Sequence, residues 1–165
     1  MVNVARILLD GIILSVIASL FVGATLRLNP RIWLRDYPKD IQAQVPPKTK
    51  AEKRLSLALG IPFLILFVAA PFVSTLSLKV RSHSDVSFLA LWLHAFGVVF
   101  VFNVVDWLVL DWLMFCTLTP RFVVIPGTEG MAGYKDYAFH FRGFLIGTAL
   151  SAGAGLAIAA IVSFL

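Results

Sequence analysis

Residues 86–118 read VSFLALWLHAFGVVFVFNVVDWLVLDWLMFCTL, an apolar run in which the only acidic, basic or imidazole side chains are His94, Asp106 and Asp111. A helix rises about 1.5 Å per residue and the hydrocarbon core of a bilayer is about 30 Å thick, so roughly 20 apolar residues cross it. The run is longer than this minimum. We therefore predict a membrane-spanning helix over residues 86–118.

Three other segments, residues 7–26, 55–78 and 141–165, have the same apolar character. None of them alternates apolar with polar residues, which excludes the strands of a membrane β-barrel. The chain is 59% hydrophobic and only 14% charged, and soluble domains have a smaller apolar share. The sequence thus predicts an all-α, polytopic integral membrane protein, a single membrane domain over residues 1–165 with four transmembrane helices in an antiparallel bundle.

The basic residues predict how the chain is oriented. The first connection, residues 27–54, contains eight of them, and the second connection contains only Lys79 and Arg81. Because cytoplasmic segments are enriched in lysine and arginine, we expect the first connection and the third connection, residues 119–140, in the cytoplasm. Both termini then lie outside, and we expect the protein in the cytoplasmic (inner) membrane. The eight are Arg27, Arg31, Arg35, Lys39, Lys48, Lys50, Lys53 and Arg54.

The positions of these residues also indicate what they meet. They adjoin apolar spans, so the net charge of +5 indicates contact with the lipid bilayer and no nucleic-acid partner. We expect the first connection, residues 27–54, to attract anionic lipid headgroups, with each basic residue contributing about 1 kcal/mol near the surface.

Small residues recur at every fourth position of the first and fourth spans, which places them on one face of each helix. Small side chains let two helix backbones approach closely within a membrane, so each ladder predicts a packing face. We expect the two spans to pack against each other, and the alternative is that the fourth span packs on a second copy in a homo-oligomer or on a partner membrane subunit. The ladders are Gly11, Ser15, Ser19 and Gly23, and Gly143, Gly147, Ser151, Gly155, Ala159 and Ser163.

Thr49 and Glu52 predict where the second long helix begins. They have the spacing of a capping box, in which each side chain accepts a hydrogen bond from the backbone N–H of the other residue. The helix should therefore start in water, several residues before the apolar span at residue 55.

Polar residues near the cytoplasmic end of the third span predict a site. At about 100° per residue, Asn103 lies between Asp106 on one side and Trp107 and Asp111 on the other, which gives a polar face below an aromatic one. Such a face can line a cleft with an apolar slot and a polar end. The alternative is an ordinary interfacial belt of tryptophans and exposed carboxylates. The predicted ligand-binding set is Asn103, Asp106, Trp107, Asp111, Arg121, His140 and Arg142.

Asp106, Asp111 and His140 are the candidates for catalysis. His140 also shares a helix face with Asp136 at i, i+4 spacing, a pair that could relay protons, hold a metal or form an ordinary ion pair at a helix terminus. The single cysteine, Cys116, and the absence of a cysteine–histidine cluster exclude a zinc-type framework, so we expect no metal. The sequence does not identify a cofactor.

Two functions are compatible with these residues. The first is a binding, transport or subunit protein with a polar cleft at the cytoplasmic end of the third helix. The second is a membrane enzyme for a lipid or isoprenoid substrate, in which Asp106 or Asp111 is the general base and His140 or Arg142 binds the headgroup.

Overall fold

The computed structural model of the chain describes residues 2–82 and 85–165. Its regular structure in these two ranges is helical, and they contain no β-strand, as the sequence predicts. The helical elements are α1 (Val4–Leu28), a 3₁₀ helix (Pro30–Asp36), α2 (Lys39–Gln44), α3 (Lys50–Arg81), α4 (Phe88–Val105), a π-helical segment (Asp106–Leu118), a second 3₁₀ helix (Ala132–Lys135) and α5 (Tyr137–Phe164).

Four of the helical stretches in the described residues are long and apolar enough to cross a membrane. Their most apolar parts have mean hydropathies of 2.1 to 2.3. Large apolar side chains are exposed along all of them, for example Ile12, Leu64, Leu89 and Leu150. A soluble domain rarely exposes an apolar surface of this extent.

The capping box at the start of α3 is confirmed. The Thr49 hydroxyl accepts a hydrogen bond from the Glu52 backbone N–H at 3.2 Å, and the Glu52 carboxylate accepts one from the Thr49 backbone N–H at 2.7 Å. The same carboxylate pairs with the Arg31 guanidinium at 2.5 Å. The start of α3 is therefore tied to the beginning of the first connection, which in the structure covers residues 29–49.

The first connection contains two short helices that the sequence analysis did not predict. The 3₁₀ helix follows Asn29, whose side chain accepts a hydrogen bond from the Arg31 backbone N–H at 2.9 Å, and Pro30 occupies its first position. Proline suits this position because it lacks the N–H that would otherwise need a partner. The two helices contain seven and six residues, which is too short for hydrophobic periodicity to reveal them.

The long third helical stretch changes character at Asp106. Up to Val105 it is α-helical, and from Asp106 to Leu118 it is π-helical, with hydrogen bonds between residues five apart. It ends at Thr119, which has a left-handed backbone (φ 43°) and donates its N–H to the Met114 carbonyl. π-Helical turns are rare and occur frequently at functional sites.

The small-residue ladders pack on α4, and the predicted contact between the first and fourth spans is wrong. In the described residues, α1 and α5 form no substantial interface with each other, and each packs extensively on α4. A side chain at Gly11 of α1 would lie 2.6 Å from the Val101 side chain, and one at Gly155 of α5 would lie 2.9 Å from the Phe96 backbone nitrogen. Gly11, Gly147 and Gly155 of the ladders lie in close contact with α4, whereas a Cβ atom at Gly23 or Gly143 would meet nothing within 4 Å in the described residues. Spacing along one helix does not say which partner the small residues meet.

Candidate functional site

A cavity of about 580 Å³, called the site cavity below, lies where α1, the first connection, the π-helical segment and α5 meet. Phe63 of α3 and Phe102 of α4 contribute to its apolar part. Five of the seven residues predicted to bind a ligand line this cavity. They are Asn103, Asp106, Asp111, His140 and Arg142.

Asp106 and Asp111 both line the cavity because of the π-helical geometry. With α-helical rotation of about 100° per residue, side chains five positions apart diverge by about 140°. The π-helical segment instead stacks residues five apart, one turn above the other. Two carboxyl groups are thereby directed to one cavity, an arrangement that the α-helical angles of the sequence analysis do not give.

His140 is held by Asp111. Its Nδ1 atom lies 3.0 Å from the Asp111 Oδ1 atom, and the residue is only 5% exposed. The carboxylate can only accept, so Nδ1 carries a hydrogen, and in the neutral imidazole Nε2 then presents a lone pair. Nε2 is buried and has no hydrogen-bond partner in the described part of the chain. The Asp136 carboxylate, which shares the i, i+4 spacing, instead caps α5 by accepting from the Phe139 backbone N–H at 2.8 Å.

Asn103 joins α4 to α5 at the inner part of the cavity. Its amide nitrogen donates to the Phe144 carbonyl and to the Thr148 hydroxyl, both at 3.0 Å. A Cβ atom at Gly147 would collide with its Oδ1 atom, so glycine is required for this approach. The Asn103 side chain thus has a packing role whether or not a ligand is present.

Arg35 and Asp36 of the first connection also line the cavity. Neither residue belongs to the predicted ligand-binding set, and the sequence predicts Arg35 only as a lipid-facing charge. The connection folds against the bundle through the buried residues Ile32, Leu34 and Tyr37. The apolar residues of the connection are the sequence signal for this packing, because such side chains are buried against another surface of the protein.

The environment of Asp36 raises the pKa of its carboxyl above the usual value. The surrounding protein partly removes the group from water, which raises the pKa, and the Asp111 carboxylate adds repulsion in the same direction. The Lys48 ammonium opposes these effects and lowers the pKa. The carboxyls of the two elements therefore influence each other across the cavity.

Trp107 and Arg121 do not line the site cavity. The Trp107 ring stacks on Phe144 with 4.5 Å between ring centroids, so it contributes to the contact between the π-helical segment and α5. Arg121 is exposed and borders a separate depression on the third connection, together with Glu129 and Lys135. In the structure this connection covers residues 119–136.

A second polar cluster joins α1, α3 and α4 at a distance from the site cavity. The Ser74 hydroxyl lies between the Asp10 carboxylate at 2.5 Å and the His94 Nε2 atom at 2.7 Å. The hydroxyl has one hydrogen, which it donates to the carboxylate, and its oxygen accepts from the imidazole N–H. Asp10 also pairs with Arg6 at 2.7 Å. Through Asp10, Ser74 and His94, the cluster links these three helices to one another.

The site cavity offers carboxylates, guanidinium groups and an imidazole lone pair beside an apolar wall. Within residues 2–82 and 85–165, no group of three or more His, Cys, Asp or Glu side chains is arranged to hold a metal ion. No protein-family model, no curated protein and no solved structure matches the chain.

Proposed function

We propose that the chain is an integral membrane protein that crosses the bilayer four times and binds an amphiphilic molecule in the site cavity. The exposed apolar side chains along all four long helices support membrane insertion, because lipid is the solvent that suits such a surface. The observation that carries ligand binding is that charged and apolar side chains line one cavity.

The proposed arrangement of the spans is antiparallel. Pairs of contacts support it. Asp10 of α1 contacts Ser74 of α3, and Phe21, later in α1, contacts Phe63, earlier in α3. The two helices therefore run in opposite directions. α4 and α5 behave in the same way, with Trp92 near Ala152 and Asn103 near Phe144. The first and third connections then lie on one side of the membrane, and the basic residues favour the cytoplasm, with both termini outside the inner membrane.

The polar end of the cavity lies beside the connections. Arg35 and Asp36 come from the first connection, and His140 lies one turn into α5. Phe63 and Phe102 lie further along their helices, toward the proposed membrane interior. An amphiphile with its head at the interface and its chain toward the membrane interior matches this order.

The apolar part of the cavity reaches the surface of the bundle in a gap at Ile146 of α5. Ile146 lines the cavity and is also 62% exposed, so its side chain borders both the cavity and the lipid-facing surface. Gly143, which adds no side chain, lies one turn away on the same face. This gap is the proposed path by which an amphiphile moves between bilayer and cavity.

A pair of tryptophan variants tests the proposal. Ile146→Trp fills the gap, and Leu150→Trp places the same bulk one turn further along α5 at a position that is 69% exposed and does not line the cavity. We expect purified wild type and Leu150→Trp to retain lipid in native mass spectrometry, and Ile146→Trp to lose it. Equal lipid retention by both variants, or none by the wild type, contradicts the proposal.

A second candidate function is catalysis, and the Asp111–His140 contact favours it. Asp111 fixes the histidine tautomer that leaves Nε2 free to accept a proton, which is the arrangement of a general base. In ester hydrolysis, Nε2 would take a proton from water as the water oxygen attacks the ester, and would return it to the departing alkoxide. In this version His140 is the base and Asp111 orients it.

Turnover assays separate catalysis from binding. His140→Gln keeps a polar side chain of similar size but lacks the basic nitrogen, and Asp136→Asn is the matched control because asparagine still caps a helix. Hydrolysis of a lipid ester that is lost in His140→Gln and kept in Asp136→Asn supports the enzyme. Lipid retention without turnover in the wild type supports binding alone.

We also propose that the first connection binds anionic headgroups at its exposed basic residues. Arg31 and Lys48 are engaged within the protein, Arg31 with Glu52 and Lys48 with the Ile32 carbonyl and Ser56. Lys39 of the connection, Arg27 at the end of α1 and Lys50, Lys53 and Arg54 at the start of α3 are exposed and carry the proposal. Binding of the full protein to anionic over neutral nanodisc lipids, with loss in high salt, is the expected result.

A further inference from the structure

The site cavity contains charges of both signs that are not neutralised by each other. Arg35 and Arg142 contribute guanidinium groups, and Asp36 and Asp106 contribute carboxyl groups. In the described residues, none of these four forms an ion pair within 4.0 Å. Asp111 differs from them because it contacts His140.

Arg35, Asp36 and Arg142 are exposed and Asp106 is half-buried, so the polar end of the cavity presents charges of both signs at an accessible surface. A molecule that carries both an anionic and a cationic group can contact both kinds of side chain at once, and guanidinium groups suit phosphate because they donate several hydrogen bonds in a plane. The cavity therefore matches a ligand with two charges better than one with a single charge.

The imidazole of His140 adds a preference for one kind of cation. Its Nε2 atom is buried and has no partner in the described part of the chain, and because Nδ1 carries a hydrogen toward Asp111, the neutral imidazole presents a lone pair at Nε2. A lone pair accepts a hydrogen bond from a primary ammonium, which has three N–H groups. A trimethylammonium group has none to offer.

We propose that the amphiphile in the site cavity is a phospholipid with a primary-amine, zwitterionic headgroup. Its phosphate binds Arg35 and Arg142, and its ammonium binds Asp36, Asp106 and His140. The chains extend toward Phe63 and Ile146, along the apolar part of the cavity. This inference rests on the proposed function, because it names the headgroup of the molecule that the cavity is proposed to hold.

Competition among three lipids tests it. The full chain is purified from nanodiscs containing equal amounts of phosphatidylethanolamine, phosphatidylcholine and phosphatidylglycerol with identical chains, and the retained lipid is identified by native mass spectrometry. We expect phosphatidylethanolamine to be retained about tenfold over each of the others, since one hydrogen bond to a charged group suffices for that ratio. Retention of all three lipids in equal amounts overturns the inference while leaving the proposed function in place. Retention of no lipid overturns both.

Two variants test the assignment of the charges. Asp106→Asn should lower the preference for phosphatidylethanolamine over phosphatidylglycerol, because it removes one of the three partners of the ammonium and none of the phosphate. Arg142→Gln should lower retention of both lipids, because both contain the phosphate. Glu129→Gln is the control, since it removes an exposed carboxylate on the third connection that does not line the site cavity. A preference that survives Asp106→Asn unchanged contradicts the assigned ammonium site.

The free headgroup distinguishes a lipid from a soluble ligand. Glycerophosphoethanolamine has the same phosphate and ammonium but no acyl chains. Failure to displace the bound lipid at a hundredfold excess, on the order of 3 kcal/mol, supports a lipid as the occupant. Displacement at equal concentration overturns the lipid assignment.

Discussion

The Nδ1 atom of His140 on α5 lies 3.0 Å from the Oδ1 atom of Asp111 in the π-helical segment. We expect Asp111→Asn and His140→Gln to be coupled in a double-mutant cycle by about 0.5–3 kcal/mol in the free energy of unfolding. The reason is that either substitution removes the same charge-assisted contact. Equilibrium unfolding in mixed detergent micelles measures the four proteins of the cycle.

Asp136 provides the control for this cycle. It is one helical turn before His140, but its side chain caps α5 and does not contact the imidazole. Asp136→Asn and His140→Gln should therefore be additive within about 0.5 kcal/mol. Additivity of the Asp111 pair together with coupling of the Asp136 pair would show that His140 has the wrong partner in the structure.

The contact between α4 and α5 depends on a glycine. A Cβ atom at Gly155 would lie 2.9 Å from the Phe96 backbone nitrogen, and backbone cannot move aside cheaply. We expect Gly155→Ala to destabilise the protein by about 1–3 kcal/mol. Gly153→Ala is the matched control, because in the described part of the chain a Cβ atom there meets nothing within 4 Å.

Gly153→Ala, the control, is expected to change the stability in the opposite direction. Alanine in a helix restricts the unfolded chain more than glycine does, so Gly153→Ala should be neutral or stabilising by up to about 1 kcal/mol. Thermal unfolding of both variants in the same detergent compares them. Equal stability of the two would indicate that α5 does not approach α4 at Gly155.

The first and third connections are joined by Tyr37. Its buried hydroxyl donates a hydrogen bond to the Val123 carbonyl at 2.7 Å, and burial raises the pKa of Tyr37, so the hydroxyl stays protonated. We expect Tyr37→Phe to cost about 1–3 kcal/mol, because it leaves a buried carbonyl without a partner. Tyr137→Phe, at an exposed tyrosine, should change stability by less than about 0.5 kcal/mol.

Tyr37 also lines the site cavity, so this variant connects stability with the site. Hydrogen exchange followed by mass spectrometry should show faster exchange in both connections of Tyr37→Phe. Faster exchange confined to one connection would contradict a direct link between them.

Ser74 bridges two other helices through its hydroxyl. Ser74→Ala removes the partner that Asp10 and His94 share, and we expect a loss of about 1–3 kcal/mol in the free energy of unfolding. Ser77→Ala, one turn later on α3, is the control because its hydroxyl has no side-chain hydrogen bond among the described residues. Equal losses from the two variants, measured by unfolding in micelles, would exclude the bridge.

The helical class and the four long apolar helices could be predicted from the sequence because they depend on local properties. Apolar runs of sufficient length identify each helix wherever it lies in the fold, and the Thr49–Glu52 capping box acts between residues three apart. The residues near Asp106 could be selected for the same reason, since ionisable side chains beside an apolar span are visible in the sequence.

The partners of these elements required the tertiary structure. The ladder of the fourth span identified a packing face, but only the fold shows that α4 fills it. Arg35 and Asp36 reach the cavity because the first connection folds over the bundle, through contacts such as Tyr37 with Val123 that join residues far apart in the chain. The π-helical segment could not be predicted either, because sequence periodicity does not distinguish hydrogen bonds between residues five apart from those of an α-helix.

The sequence by itself therefore determined the helical, strongly apolar character of the chain, since that depends on which residues are present and on their spacing. Only the tertiary structure decided that Asp106 and Asp111 share a cavity and that His140 pairs with Asp111. The physical reason is that the rotation per residue about the helix axis adds up along a helix. A local change from α to π geometry therefore redirects the side chain of every later residue.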